Sequence, residues 1–157
     1  MYQKKERRSL SVNRKFYGDY IGLDNKPSLR ALIQKRETIE FAQTCIKFNR
    51  QFKKQKRDFI LTNKAFYIIG REEVKDKKLI NFNRNKTIIE VVKRRIEYAN
   101  VEKICLSHLK DNFLVLYPLN DYASVLEVEF KTEFLTTFSK RYKETFGKPL
   151  LIEFSDE

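Results

Sequence analysis

The sequence predicts an α+β domain: a bent β-barrel or sandwich of about seven strands capped by a C-terminal α-helix, with an N-terminal extension. Two observations predict it. Short apolar runs of strand character follow one another from residue 38 to residue 130, and the one stretch of clear helical periodicity comes after them. The 157 residues suit one domain with a flanking extension, and 41% hydrophobic residues suffice for one core. The expected bounds are an extension over 1–36, a core over 37–147 and a C-terminal extension over 148–157.

In chain order, residues 10–23 read as irregular and 27–36 as a short helix. From 38 to 48 the apolar side chains Ile39, Phe41, Ala42, Cys45, Ile46 and Phe48 alternate loosely, which suits a strand. Residues 49–57 are polar and basic and read as a loop. Residues 59–62 and 65–69 then form a hairpin about the turn Asn63-Lys64. The charged, Asn-rich stretch 71–86 reads as a long exposed loop, followed by strands at 87–98, 102–109, 112–119 and 121–130. Phe134, Leu135, Phe138 and Tyr142 next fall on one helical stripe, with Lys140, Arg141 and Lys143 in the later turns and a stop at Gly147 and Pro149. That stripe is expected to be core. Residues 150–154 suit a short extra strand. Seven strands followed by one helix is the pleckstrin-homology order.

Side-chain chemistry is sparse. His108 is the only histidine, and with Cys45 and Cys105 it lacks the close ligand spacing of a zinc site. Ser107 and His108 are strand neighbours whose side chains diverge to opposite faces, so with Asp111 they make no catalytic triad. The four glycines are scattered and cradle no phosphate, and Gly147-Lys148 runs into Pro149 as a helix stop. The reading is a non-enzymatic domain with no cofactor and no metal. Both cysteines are expected as reduced, buried thiols, which makes Asn85-Lys86-Thr87 an unused glycosylation sequon. The N-terminus carries basic residues without an apolar stretch behind them, unlike a secretory signal, and no run approaches the roughly 18 apolar residues of a spanning helix.

Charge is the informative property. Residues 1–57 hold 16 of the 33 Lys and Arg and 5 of the 21 Asp and Glu, an excess of 11, whereas residues 58–157 hold 17 and 16. A concentration of this kind points to an anionic partner. Lys47, Arg50, Lys53, Lys54, Lys56 and Arg57 lie in one acid-free segment. A hairpin there can aim several of them at one multiply charged phosphate group; the alternative is an ordinary solvated loop. Arg71, Lys75, Lys77 and Lys78 in the next loop would flank the same open end of a barrel. At about 1 kcal/mol per basic residue near an anionic bilayer, the six would supply roughly 4 to 6 kcal/mol. Membrane lipid leads. An actin filament or acidic protein bound by the same surface is the second reading. Nucleic acid is the third and is not expected, because the aromatic residues sit in core-like runs and the basic-Gly-aromatic signature is missing.

A family resemblance runs through almost the whole chain. It begins with Lys5-Glu6-Arg7-Arg8, Ser11, Asn13-Arg14 and Gly18-Asp19-Tyr20, and continues through Phe41-Ala42, Lys47-Phe48-Asn49-Arg50, Phe52-Lys53, Lys56-Arg57, Leu61-Thr62 and Tyr67-Ile68-Ile69. Leu106-Ser107, Asp111-Asn112-Phe113, Phe130-Lys131-Thr132-Glu133-Phe134, Lys140-Arg141-Tyr142 and Phe154-Ser155-Asp156 complete it. In these motifs the sequence resembles the tail homology 1 domain of class I myosins, and Ile69-Gly70-Arg71-Glu72 is most similar to the long-tailed, amoeboid-type members.

The resemblance implies a pleckstrin-homology-like fold that binds anionic phospholipids, phosphatidylserine and phosphatidylinositol 4,5-bisphosphate among them. It implies a domain, expected to be a monomer, that docks an actin-based motor peripherally on plasma or endocytic and phagocytic membranes at the actin cortex. The motor and its neck would precede residues 1–36. In that family a lysine closing the first strand and an arginine opening the second hold the inositol phosphates, and these roles fall on Lys47 and Arg57. The family pattern has a further basic residue two before the arginine. Here that position is Gln55, a departure that favours general anionic-lipid binding over selective phosphoinositide recognition.

Overall fold

The computed structural model describes residues 18–75, 86–107 and 111–155. Strands β1 (Ile39–Phe48), β2 (Lys54–Thr62), β3 (Ala65–Lys75), β4 (Lys86–Glu97), β5 (Val101–Ser107), β6 (Phe113–Pro118), β7 (Ser124–Glu127) and β8 (Ile152–Ser155) form one sheet in the order β4-β3-β2-β1-β7-β6-β5-β8. A one-turn helix α1 (Pro27–Arg30) precedes them, and α2 (Lys131–Phe146) lies between β7 and β8. The strand β1 joins the two halves: it pairs with β2 along its length and, through Ile46, Lys47 and Phe48, with β7.

The main core fills the space between the sheet and α2. Phe41, Cys45, Phe59, Leu61, Phe66 and Ile68 face it from one half, and Ile104, Leu106, Leu114, Leu116 and Leu126 from the other. The helical stripe of Phe134, Phe138 and Tyr142 is buried there, as its spacing predicts. Phe134 sits 4.8 Å from Phe59, and Phe138 meets Tyr98 edge-on at 5.0 Å, separations at which aromatic quadrupoles attract. The helix ends where the sequence stops it. Gly147 takes φ 71°, and its N–H bonds the Lys143 carbonyl at 2.8 Å.

A second cluster lies on the opposite face of the first hairpin. Leu23, Leu29 and Ile33 from the N-terminal segment pack with Ile39, Ala42, Ile60, Ala65, Tyr67 and Ile69. Residues 58–62 of β2 and 65–70 of β3 are therefore buried on both faces, which is why 59–61 and 65–69 read as continuous apolar runs. Gly18 lets the segment approach β1 closely: its carbonyl accepts from Ala42 N–H at 2.7 Å, and a Cβ there would lie 2.9 Å from the Glu40 carbonyl oxygen. The Asp19 carboxylate accepts from the N–H groups of Ile21, Gly22 and Leu23.

Several boundaries differ from expectation. Residues 54–57 belong to β2, with Cys45 opposite Arg57 and Lys47 opposite Gln55, so the loop after β1 is short. Arg71–Lys75 and Lys86 are likewise strand, paired from Ala65↔Glu97 to Lys75↔Lys86. In both places pairing with a neighbour satisfies the backbone, and the charges reflect exposure of the side chains. The helix expected over 27–36 stops at Arg30 and continues as turns, and the strand expected over 121–130 shrinks to Ser124–Glu127. The short terminal strand pairs parallel with β5 and makes an eighth strand beside the seven expected. Cys45 is buried and Cys105 half-buried, both as free thiols. Residues 10–17, Asn85 and His108 lie outside the described residues.

Glu37 ties the second cluster together. Its side chain is 2% exposed, and its carboxylate accepts from Thr62 Oγ1, from Tyr67 OH at 2.7 Å and from Arg95 Nη2 at 2.8 Å. Burial alone would raise its pKa, but those three hydrogen bonds and the Arg95 charge outweigh it and hold the carboxyl below its ordinary value. A folded-state pKa below the unfolded one stabilises fully above the unfolded value, and the benefit is lost as pH falls through the folded value. Glu37→Gln is predicted to cost about 2 kcal/mol at neutral pH and to flatten the acid-side decline. Urea unfolding of both forms at neutral and mildly acidic pH measures this; equal stability at neutral pH contradicts it.

Candidate functional site

The open end of the barrel is built by the end of β1, the start of β2 and the middle of β3 and β4. Cys45 faces the main core, so its cross-strand partner Arg57 and the next pair outward, Lys47 and Gln55, face the same inner side. On β3, Gly70 follows core-facing Ile68 by two positions and shares that face. A Cβ at Gly70 would lie 2.9 Å from Lys93 Cε and 3.0 Å from Arg57 Nε, so the missing side chain is the space in which these two meet. Lys93 arrives there through an irregularity in the β3–β4 register: Ile68 pairs with Arg94 and Ile69 with Val92, which leaves Lys93 as the extra residue of a bulge.

Arg94 forms the floor. It is buried, donates to Ser124 Oγ and the Tyr122 carbonyl, pairs with Asp121 at 3.2 Å and stacks 3.7 Å over the Tyr122 ring. Lys47 Nζ reaches within 5.9 Å of the same ring. Nearby carboxylates are engaged: Asp58 by Arg71 at 2.7 Å, Glu72 by Lys93 at 3.2 Å and Asp121 by Arg94. Buried Arg57 Nε has no hydrogen-bond partner among the described residues. Burial, and then repulsion from Arg57, Arg94 and Lys93, pull the Lys47 ammonium below its ordinary pKa. The mouth thus holds a positive field in excess of its own acids. A phosphate group with several charges matches it, Lys47 acting as a point charge and Arg57 as a planar fork.

The other expected residues divide by strand alternation. Lys54 and Lys56 stand opposite Phe48 and Ile46 and face away from the mouth, while Arg50 and Lys53 sit on the hairpin tip. Arg71 is on the outer face as well, bound to Asp58 and, at 3.1 Å, to Glu90. Its charge is spent within the sheet. Lys75 ends β3, and Lys77 and Lys78 lie outside the described residues. Lys93 and Arg94 were not singled out from sequence. Their signal is the basic run 93–95 in the middle of an apolar strand, which the bulge and alternation split between the two faces.

Comparison with known proteins gives the family. The profile of the unconventional myosin tail, described as actin- and lipid-binding, matches residues 7–157. The myosin ID heavy chain of Dictyostelium discoideum is 37% identical over 145 residues, covering 91% of this chain. The myosin heavy chain IB of Acanthamoeba castellanii is 33% identical over 157 residues, covering 98%. The chain spans 13% of the length of each of these relatives. Among solved structures, the hSac2 domain of the human phosphoinositide phosphatase Sac2 superposes with a TM-score of 0.54 at 13% identity, over 95% of this chain and 91% of that one. The linker-DH/PH domains of p115-RhoGEF give 0.53 at 6% identity, over 84% of this chain and 38% of that one. At such identities the likeness shows the fold, which is pleckstrin-homology-like. The sequence matches show more: the chain belongs to the unconventional myosin tail family, as the tail homology 1 domain of a class I myosin.

Proposed function

We propose that this domain attaches an actin-based class I motor to anionic membranes by taking a phospholipid headgroup into the mouth formed by Lys47, Arg57 and Lys93. The observation that carries this reading is the convergence of Arg57 and Lys93 on the side-chain-free Gly70, with Arg57 Nε unpartnered and the Lys47 ammonium held below its ordinary pKa by burial and then by neighbouring positive charge. A phosphomonoester offsets that repulsion. Phosphatidylserine supplies diffuse attraction, and phosphatidylinositol 4,5-bisphosphate offers the mouth several phosphates at once. Arg50, Lys53, Lys54 and Lys56 add a screened, longer-range attraction around it. The domain acts as a monomer at the membrane-facing edge of the actin cortex, with 37–147 as the binding core, 1–36 leading from the motor's neck and 148–157 as a terminal extension. Among the described residues no helix is long and apolar enough to cross a membrane, which suits peripheral attachment.

A second reading has its own support, since the family is described as actin-binding as well as lipid-binding. The outward face of Lys54 and Lys56 is turned away from the mouth and could meet an acidic filament surface while lipid is held. Co-sedimentation with actin filaments in the absence of lipid tests it.

Sedimentation with vesicles of graded phosphatidylserine and phosphoinositide content tests the lipid reading. The chain is predicted to pellet at low ionic strength and to release as salt rises; no pelleting at low salt contradicts it. Lys47→Ala with Arg57→Ala is predicted to weaken binding to phosphoinositide vesicles by about 100-fold or more, on the basis of about 1.5 kcal/mol for each of the two charge-assisted contacts, and binding to phosphatidylserine vesicles far less. An equal loss on both points to diffuse attraction alone. Gly70→Ala pushes on two flexible side chains and not on backbone. It is predicted to reduce phosphoinositide binding about 5-fold, equivalent to about 1 kcal/mol, while the melting temperature moves by no more than about 3 °C. Unchanged binding would show that the space beside Gly70 is not part of the site.

A further inference from the structure

We infer that Phe52, at the tip of the β1–β2 hairpin, is a wedge that enters the acyl region of the bilayer when the basic mouth docks. This rests on the lipid reading and adds a component that charge does not supply.

Phe52 is 82% exposed, the highest value among the exposed large apolar side chains described. Its backbone has φ 59°, a left-handed conformation that Asn or Gly adopts readily and a bulky residue rarely does. The turn does not need the ring. Asn49 Oδ1 accepts from the N–H groups of Gln51 and Lys53 at 2.8 and 2.9 Å, and the Asn49 carbonyl accepts from Phe52 N–H at 2.9 Å. Neither packing nor backbone conformation therefore accounts for a phenylalanine at this position.

Its neighbours say what covers it. Arg50, Lys53 and Lys54 are exposed around the tip, so a large ring projects from within a collar of cations. An actin or acidic-protein surface would satisfy the cations and leave the ring to find an apolar pocket. A bilayer satisfies both at once, because lysine and arginine stay among the phosphates while an aromatic ring reaches below them. The adjoining hairpin end repeats the pattern. Counting from the Asp58↔Ile69 pair, Lys54 is level with Glu73, whose partner on β4 is Ile88. Ile88 is 64% exposed, and Val74 and Ile89 are exposed beside it. The end of the barrel that presents the cations thus also presents three exposed aliphatic side chains, Ile88 the most exposed of those described, while Leu119 and Leu151 are exposed elsewhere.

The chain contains no tryptophan, so Phe52→Trp places a single tryptophan at the tip, excited selectively at the red edge beyond the eight tyrosines. With phosphatidylcholine vesicles containing phosphatidylserine and phosphatidylinositol 4,5-bisphosphate, the expected result is a blue shift, and quenching when the acyl chains are brominated. Phe52→Asn suits the left-handed backbone, so its melting temperature should equal or exceed that of the wild type. Its vesicle affinity should fall about 10-fold, equivalent to about 1.4 kcal/mol, while its salt dependence stays that of the wild type. Vesicle sedimentation of the variant without blue shift or quenching overturns the wedge and leaves the lipid reading standing. Failure of the wild-type chain to sediment overturns both. A blue shift on actin filaments with none on vesicles assigns the tip to a protein partner and also overturns the wedge.

Discussion

The turn-proximal half of the hairpin of β2 and β3, residues 58–62 and 65–70, is buried on both faces, and the rest of the molecule is arranged around that constraint. Phe59, Leu61, Phe66 and Ile68 close on the aromatic stripe of α2, while Ile60, Ala65, Tyr67 and Ile69 are covered by the segment carrying Leu23, Leu29 and Ile33. A sheet packed on one side only could flex at its free edge. One packed on both sides is a rigid strut, and its far end, beyond Arg57 and Gly70, projects as the basic mouth. The ion-paired outer face completes the strut: Arg71 holds Asp58 and Glu90, and Arg95 holds Glu37.

Rigidity matters because the mouth assembles charges that repel. Lys47, Arg57, Lys93 and Arg94 would separate if their strands were free to do so, and the depressed pKa of Lys47 registers part of that repulsion. The fold holds them in place by three local devices. Gly70 gives up its side chain to make room, the β4 bulge turns Lys93 inward, and Arg94 is fixed to the start of β7 by Ser124 and to the loop before it by Tyr122 and Asp121. A bound polyanion converts that repulsion into attraction. A cluster of cations therefore carries a different meaning here from the same residues spread on a solvated loop. The charge of Arg71 is shared between Asp58 and Glu90 on the outer face, whereas in the mouth Glu72 and Asp121 offset only Lys93 and Arg94, which leaves Lys47 and Arg57 as the excess available to a ligand.

What the sequence reveals follows from which signals are local. The α2 stripe, its Gly147 stop and the alternation of β1 are periodic patterns within one element, and they appear where the spacing places them. The strand character of 54–57 and 71–75 is hidden because it comes from partners elsewhere in the chain, while the residues themselves are charged. The expectation at 18–36 is partial for a similar reason: Leu29 and Ile33 keep a helical spacing although the helix itself ends at Arg30, and Leu23 is out of step with them, yet all three reach one cluster. Lys47 and Arg57 could be singled out from the basic segment and the family motif. Lys93 and Arg94 could not, since their approach depends on a bulge and on the absence of a side chain at Gly70, features that only the assembled sheet makes visible.

The central claim is that one headgroup enters the mouth, in place of a loose cloud of anions around the barrel's end. Titrating the isotopically labelled chain with a soluble inositol phosphate headgroup, and following backbone amides together with lysine and arginine side-chain nitrogens by NMR, tests it most directly. The expected result is saturable perturbation centred on Lys47, Arg57, Gly70 and Lys93, with the Lys47 ammonium returning toward the ordinary lysine range as phosphate neutralises its surroundings. Weak, non-saturating shifts spread evenly over Arg50, Lys53, Lys54 and Lys56, with Gly70 and Lys93 unmoved, would contradict it.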